Sequence, residues 1–393
     1  TRMSKTIAKL GRRLRLGVIG GGPGSFIGPV HRAAARLDDN YEIVASVLSS
    51  DPDRSRRKGQ AIGVAPDRAY GTAREFFEGE KARDDGIDVV AIMTPNDSHY
   101  PLCLQALENG LDIICDKPLT TNLRDANDLV HRVRDAGVVF CQTFNYSGFP
   151  LVRQAMAMVR DGDLGDVRMI EVEYVQGHNA ALTATESGEE SNWHFDPARV
   201  GESLILGDIG SHAHHLARFV TCQDLSRLTA DITSVVPGRT AHDYAGILFR
   251  LENNAPGVMW VTQAGAGAVH GLYFRVFCAK GSLEWAQETP NQLTCSRIGE
   301  PATIYERDGP GLKPEAARAT RVGIGHPEGY QEAFAVLYAD AAEAIVARKL
   351  GEKPDRLALD FPTVEDGART MQFIAAALES SHTGGWIDYQ VAF

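Results

Sequence analysis

Leu14-Arg-Leu-Gly-Val-Ile-Gly20-Gly-Gly22-Pro-Gly-Ser25-Phe-Ile-Gly28 is the stretch whose reading decides the fold. A short apolar run ending in glycine reads as a buried strand, and a glycine-, proline- and serine-rich loop then leads to a helical pattern over 30–37. Such a loop admits a phosphate. Gly20 permits a tight turn, Gly22 lets the backbone approach a pyrophosphate, and a third glycine lets helix and strand pack closely. Ser25 stands at the sixth position, where that third glycine belongs, so Gly28 takes the role if 23–26 is an insertion. On this loop alone, a glycine-rich turn without ligand is the alternative.

The segments that follow support the phosphate reading. A second strand over 41–48 precedes a polar run over 49–58; a third strand covers 88–94, and a helix over 99–109 stops at Gly110. A strand over 111–115 is ended by Pro118, 123–136 is helical, and 138–142 is again a strand. Strands alternating with helices mean βαβ units and a parallel sheet. The helix after Gly28 would then offer its N–H groups and positive dipole end to the pyrophosphate of a nicotinamide dinucleotide. We read 1–13 as an N-terminal extension, 14–145 as a Rossmann domain and 146–393 as a second, substrate and oligomerisation domain.

Composition bounds the rest. The 393 residues exceed one ordinary domain, and 44% hydrophobic with 23% charged residues is the make-up of a globular protein with a large core. No apolar run approaches the length of a membrane span, and Thr1–Arg15 is basic without the apolar stretch of a signal peptide. The net charge of −11 argues against a nucleic-acid partner held through phosphates. The six cysteines include no Cys-x-x-Cys pair, which fits free thiols in a cytoplasmic protein and gives no metal site.

Ligands of doubly wound sheets gather at the carboxyl ends of the strands. The second strand ends in Ser49-Ser50-Asp51: Ser49 suits NAD or NADP, Asp51 favours NAD, and Arg54, Arg56, Arg57 and Lys58 favour NADP unless they are only a solvated helix face. The third strand runs into Thr94-Pro-Asn96-Asp-Ser-His99, where Thr94, Asn96 and His99 are candidate cofactor contacts. The fourth runs into Asp116-Lys117-Pro118, which fixes a lysine facing the crevice. Downstream, Asp208-Ile-Gly210-Ser-His212 begins a helix on which Asp208 and His212, four apart, point to one side. Histidine accepts a proton near neutral pH, and a neighbouring carboxylate can orient it. An ordinary helix N-cap is the alternative for Asp208.

The glycine loop, Thr94-Pro-Asn96 with His99, Asp116-Lys117-Pro118 and Asp208-x-Gly210-x-His212, in that order, resemble the glucose–fructose oxidoreductase/inositol dehydrogenase/rhizopine catabolism (Gfo/Idh/MocA) family over nearly the whole chain. The resemblance implies an α/β architecture: an N-terminal doubly wound parallel sheet and a C-terminal α/β domain with a large, mostly antiparallel open sheet. It implies oxidation or reduction of a hydroxyl of a sugar, glycoside or cyclitol with NAD(P), with Lys117, Asp208 and His212 as catalytic residues. An NAD-dependent glycoside hydrolase acting by transient oxidation and elimination, and a non-enzymatic dinucleotide sensor, are the alternatives. Asp116 stands where the family has Glu, and His194 where it has Arg after Trp. Tyr146, Trp193 and His194 are the candidate substrate residues, with plain core packing the alternative for Tyr146 and Trp193.

The second domain reads on its own as a helix over 149–160, a strand over 167–176, and close-spaced strands over 228–236, 244–251, 257–263, 272–279 and 282–285, with Asn253-Asn254 at a hairpin. The segment 287–325 reads as irregular, followed by helices over 328–349 and 364–379. A sheet of this size has a second face to cover, so a homo-oligomer, dimer or tetramer, is expected.

Overall fold

The computed structural model describes residues 4–181, 197–390 and 393, and forms two compact units. Unit one holds Thr1–Gly148, Tyr330–Ala368 and Phe393; unit two holds Phe149–Gly329 and Arg369–Ala392. The division expected at 145/146 therefore shifts to Gly148, and a C-terminal stretch returns to the first unit.

In chain order, α1 (Lys5–Leu10), β1 (Leu14–Gly20), α2 (Ile27–Leu37), β2 (Tyr41–Val47), α3 (Pro52–Ala61), α4 (Ala73–Lys81), β3 (Val89–Met93), α5 (His99–Glu108), β4 (Asp112–Cys115), α6 (Leu123–Ala136) and β5 (Phe140–Gln142) build unit one. The five strands pair in parallel in the order β2-β1-β3-β4-β5, the doubly wound arrangement the alternation implied. All of β3 and β4 is buried, as helices on both faces require. α6 shows how the sequence sets such a helix: Asn122 accepts a hydrogen bond from the Asp125 amide, and Ala126, Leu129, Val130 and Val133 form the buried stripe.

The helix Tyr330–Leu350 belongs to this unit because it has no polar face to offer water along most of its length. Its Phe334, Leu337, Tyr338, Ala341 and Ile345 join Leu16, Val18, Ala91 and Ile114 in one core. Each such side chain contributes about 1.5–3 kcal/mol by leaving water. A helix apolar nearly all round must be buried nearly all round.

Unit two contains α7 (Pro150–Arg160), β6 (Val167–Gln176), α8 (Pro197–Val200), a π-helical turn Leu206–Gly210, α9 (Ser211–Thr221), β7 (Leu225–Thr233), β8 (Tyr244–Leu251), β9 (Pro256–Thr262), β10 (His270–Cys278), β11 (Gly281–Ala286), β12 (Gln292–Arg297), β13 (Thr303–Glu306) and α10 (Pro314–Arg318). After α11, the helix Tyr330–Leu350 already described, come α12 (Val364–Thr383) and β14 (Ile387–Asp388). Nine strands form one sheet, β13-β12-β11-β10-β6-β9-β8-β7-β14, antiparallel throughout except for β6 beside β9. Alternation sorts its faces: Leu272, Phe274 and Val276 are buried, while Leu248, Val258 and Trp260 on the other face are 49%, 48% and 37% exposed. At the β8–β9 hairpin Asn254 adopts a left-handed φ of 66° and Asn253 accepts from the Ala255 amide, as the Asn-Asn pair implied.

The expectation of irregular structure over 287–325 is corrected: β12, β13 and α10 lie there. β13 is an edge strand with no buried residue, so it leaves no apolar alternation to read.

Candidate active site

Because the five strands of unit one are parallel, the segments after Gly20, Val47, Met93, Cys115 and Gln142 emerge on one edge. The glycine loop opens this edge. A Cβ at Gly20 would lie 2.6 Å from the Met93 carbonyl oxygen, at Gly22 2.5 Å from that of Leu48, and at Gly28 1.7 Å from that of Gly21. These are backbone contacts, so only glycine allows the loop to lie this close to β2, β3 and α2. Gly28 thus holds the close-packing position despite Ser25. The Ser25 hydroxyl instead accepts from the Gly28 amide at 3.3 Å, and buried Arg32 donates to the Gly21 carbonyl at 2.5 Å. No side chain caps α2 at its N-cap residue, Phe26. The loop and helix start fit a dinucleotide pyrophosphate, which needs backbone approach and a positive helix end.

At the end of β2, Ser49 accepts from the Asp51 amide and Asp51 caps α3 by accepting from the Arg54 amide at 2.7 Å. Of the basic run, Arg56 pairs with Glu75, and Lys58 donates to the Pro23 carbonyl of the glycine loop at 3.0 Å. Lys58 is therefore a loop clamp, a role the reading of a solvated face missed.

Lys117 follows β4 and precedes Pro118 through a cis peptide bond. The turn beneath it is bonded at each backbone and side-chain handle of Asp116. The Asp116 amide donates to Ile92, its carbonyl accepts from the Gln142 side chain, and its carboxylate accepts from the Thr143 hydroxyl, each at 2.8 Å. Burial pushes this carboxyl upward, but His31, Lys117 and His99 outweigh it and hold it well below the usual carboxylate range. His31 Nε2 lies 3.9 Å from Asp116 Oδ1, while His31 Nδ1 hydrogen-bonds to Tyr338 at 2.7 Å.

His99 is fully buried, with Nδ1 2.8 Å from the Pro118 carbonyl and Nε2 2.9 Å from that of Thr94. Burial lowers its pKa, against an opposing effect of Asp116. It sits between two strand-end turns, where a neutral imidazole donates to one of the two carbonyls. Thr94 accepts from Ser98, and Asn96 starts the short turn Asn96–Ser98 between them. Tyr146 is buried, with its ring 6.3 Å from that of Tyr330. Trp193 and His194 lie outside the described residues.

In unit two, Asp208 sits in the π-helical turn and His212 in the first turn of α9. The N-cap of α9 is Gly210, so Asp208 is not an ordinary cap. A π turn inside a helix is uncommon and tends to mark functional positions. His212 is 8% exposed, with Tyr174 edge-on at 6.4 Å. His214 stacks on Phe373 and hydrogen-bonds to Thr370, and His215 stacks on Phe219. Burial drives the His214 pKa well down.

The Asp208 carboxylate accepts from the Gln263 amide at 2.6 Å. Sequence reasoning missed Gln263, Gln176, Gln142 and Thr143. The signal available was that each glutamine closes an apolar strand at its carboxyl end.

Residues 14–144 match the family described as oxidoreductase family, NAD-binding Rossmann fold, and residues 152–284 match the GFO/IDH/MocA C-terminal domain. An uncharacterised oxidoreductase, YfiI, of Bacillus subtilis is 31% identical over 97% of this chain and 98% of its own length. The chain belongs to the Gfo/Idh/MocA family. Among solved structures, an inositol dehydrogenase homologue from Azotobacter vinelandii, complexed with NADH and myo-inositol, is 35% identical with a TM-score of 0.90 over 99% of this chain and all of that one. An oxidoreductase from Sinorhizobium meliloti is 40% identical with a TM-score of 0.86 over 96% of this chain and all of that one. Both the parallel five-stranded sheet and the large, mostly antiparallel one are thus family features, and the dinucleotide of this Gfo/Idh/MocA member is a nicotinamide one.

Proposed function

We propose that this protein is an NAD-dependent dehydrogenase that oxidises a secondary hydroxyl of a cyclitol or sugar. The carrying observation is the co-occurrence of Lys117 at the end of β4 with Asp208 and His212 at a π-to-α junction, in a chain of a family whose Azotobacter relative binds NADH and myo-inositol. The glycine loop and the N-terminus of α2 would hold the pyrophosphate, and the ends of β2 and β3, with Ser49, Thr94 and Asn96, the rest of the dinucleotide. When bound, the nicotinamide supplies the acceptor for a hydride leaving the carbinol carbon. His212 takes the hydroxyl proton, Asp208 orients the imidazole and contacts a neighbouring hydroxyl, and Lys117 donates to the reacting oxygen as negative charge develops on it.

The outward face of the nine-stranded sheet supports a homo-oligomer. Leu248 pairs across from Val258, and Val258 from Glu171, whose carboxylate accepts from Arg275 at 2.9 Å. Trp260 donates to Glu173 beside them at 2.8 Å. Exposed aliphatic and aromatic groups among satisfied charges are the make-up of an interface core with a polar surround.

The test is a screen of inositols, monosaccharides, glycosides and sugar acids with NAD and NADP, followed at the nicotinamide absorbance band. Net NADH formation with a cyclitol or sugar supports the reading. Aglycone release without net NADH would replace it with redox-assisted glycoside cleavage.

A further inference from the structure

The topology of the large sheet brings three polar side chains to one edge. β6 and β9 run parallel, so Gln176, which ends β6, and Gln263, which follows β9, leave the sheet together. β10 runs antiparallel to β6 and places His270 opposite Gln176. Gln263 and Gln176 are 2% and 5% exposed. Buried amides of this kind need partners for every donor and acceptor.

The partners define one orientation. Gln263 Nε2 donates to Asp208 Oδ2 at 2.6 Å and to Gln176 Oε1 at 3.2 Å. Gln263 Oε1 accepts from Asn179 Nδ2 at 3.1 Å, and Gln176 Nε2 hydrogen-bonds to His270 Nδ1 at 3.0 Å. A flipped Gln263 amide would set its oxygen against the Asp208 carboxylate and the Gln176 oxygen at once. Asn179 is fixed in turn: Arg239, 1% exposed at its side chain, donates to its carbonyl at 2.7 Å and pairs with Asp243 at 3.0 Å. Among the described residues, further titratable groups beside the cluster are His178, lowered by burial with Asp208 opposing, His270, and His212 one helical turn from Asp208.

We propose that Gln263 is a positioning residue that aims the Asp208 carboxylate and stabilises its ionised form, itself locked by Gln176 and Asn179. The inference rests on the role given above to Asp208. A neutral amide donor fixes one carboxylate oxygen without cancelling the charge, which a lysine or arginine at the same place would do.

The experiment is carboxyl-carbon NMR titration of the full chain labelled at aspartate, with Asp208 assigned from Asp208→Asn, alongside pH profiles of kcat/KM. In Gln263→Leu the Asp208 midpoint should rise by about one pH unit, kcat/KM should fall about tenfold or more, and the acid limb should move up with the midpoint. Gln263→Glu keeps the shape and puts two carboxylates within hydrogen-bond reach. They should share one proton, so activity persists between the two midpoints of the pair and is lost above the upper one and below the lower one. An Asp208 midpoint moved by less than about 0.2 unit in Gln263→Leu, or equal losses at every pH in both variants, overturns the proposal. If Asp208→Asn keeps full turnover, the role of Asp208 in the reaction fails, while the titration still decides what Gln263 does to it.

Discussion

A Cβ at Gly28 would stand 1.7 Å from the carbonyl oxygen of Gly21. The start of α2 and the turn after β1 are therefore in backbone contact, and neither can yield without moving a strand.

Gly28→Ala should accordingly cost about 1–3 kcal/mol of stability and weaken dinucleotide binding by tenfold or more. Calorimetric titration with NAD, together with a denaturant melt, measures both. Unchanged affinity would remove Gly28 from the phosphate loop.

Much of this architecture was legible in the sequence because the parallel strands are short apolar runs closed by turn residues. β1, α6, β6 and β8 fall on their expected spans because their periodicity is complete. α4 was missed: its buried face of Phe76, Phe77 and Glu80 carries only two apolar residues in a run of nine. Lys117 and the Asp208–His212 pair stand out in the sequence as candidate sites because each breaks a local pattern, whereas Gln263 and Gln176 look like ordinary strand ends until the parallel pairing of β6 and β9 brings them together. The return of α11 to the first unit was invisible to a reading that moves forward along the chain.

Arg68 and Glu80 form a buried ion pair, 8% and 2% exposed at the side chain, with Tyr70 and the Ile87 amide also donating to Glu80. Removing one partner leaves a buried charge, so Glu80→Ala should cost about 3–5 kcal/mol. The loss should appear in urea unfolding. A loss below about 1 kcal/mol would mean that water reaches the site.

Asp88 accepts from Arg12 at 2.6 Å, from the Arg15 amide at 2.8 Å, and pairs with Lys349 at 2.8 Å. Burial pushes its pKa up, but these partners prevail and hold it at about 2. The folded state then binds this proton less readily than the unfolded chain. Its contribution, roughly 2 kcal/mol, is complete above about pH 4 and is lost as pH falls through about 2. Asp88→Asn should lose stability at neutral pH and converge on the unsubstituted chain in acid. Parallel stability curves for the two would contradict the assignment.

Val258→Glu places a charge at the centre of the exposed sheet face opposite Leu248 and Glu171. Analytical ultracentrifugation should find an oligomer for the unsubstituted chain and a monomer for the variant at micromolar concentration. A monomer in both cases rejects the sheet as an interface.

The central claim, hydride transfer assisted by His212 and Lys117, is tested most directly by single-turnover kinetics of His212→Ala and Lys117→Ala on a substrate that the screen identifies. Turnover should fall by two orders of magnitude or more in each, with NAD affinity within about threefold. Losses of about tenfold or less in both variants would contradict it.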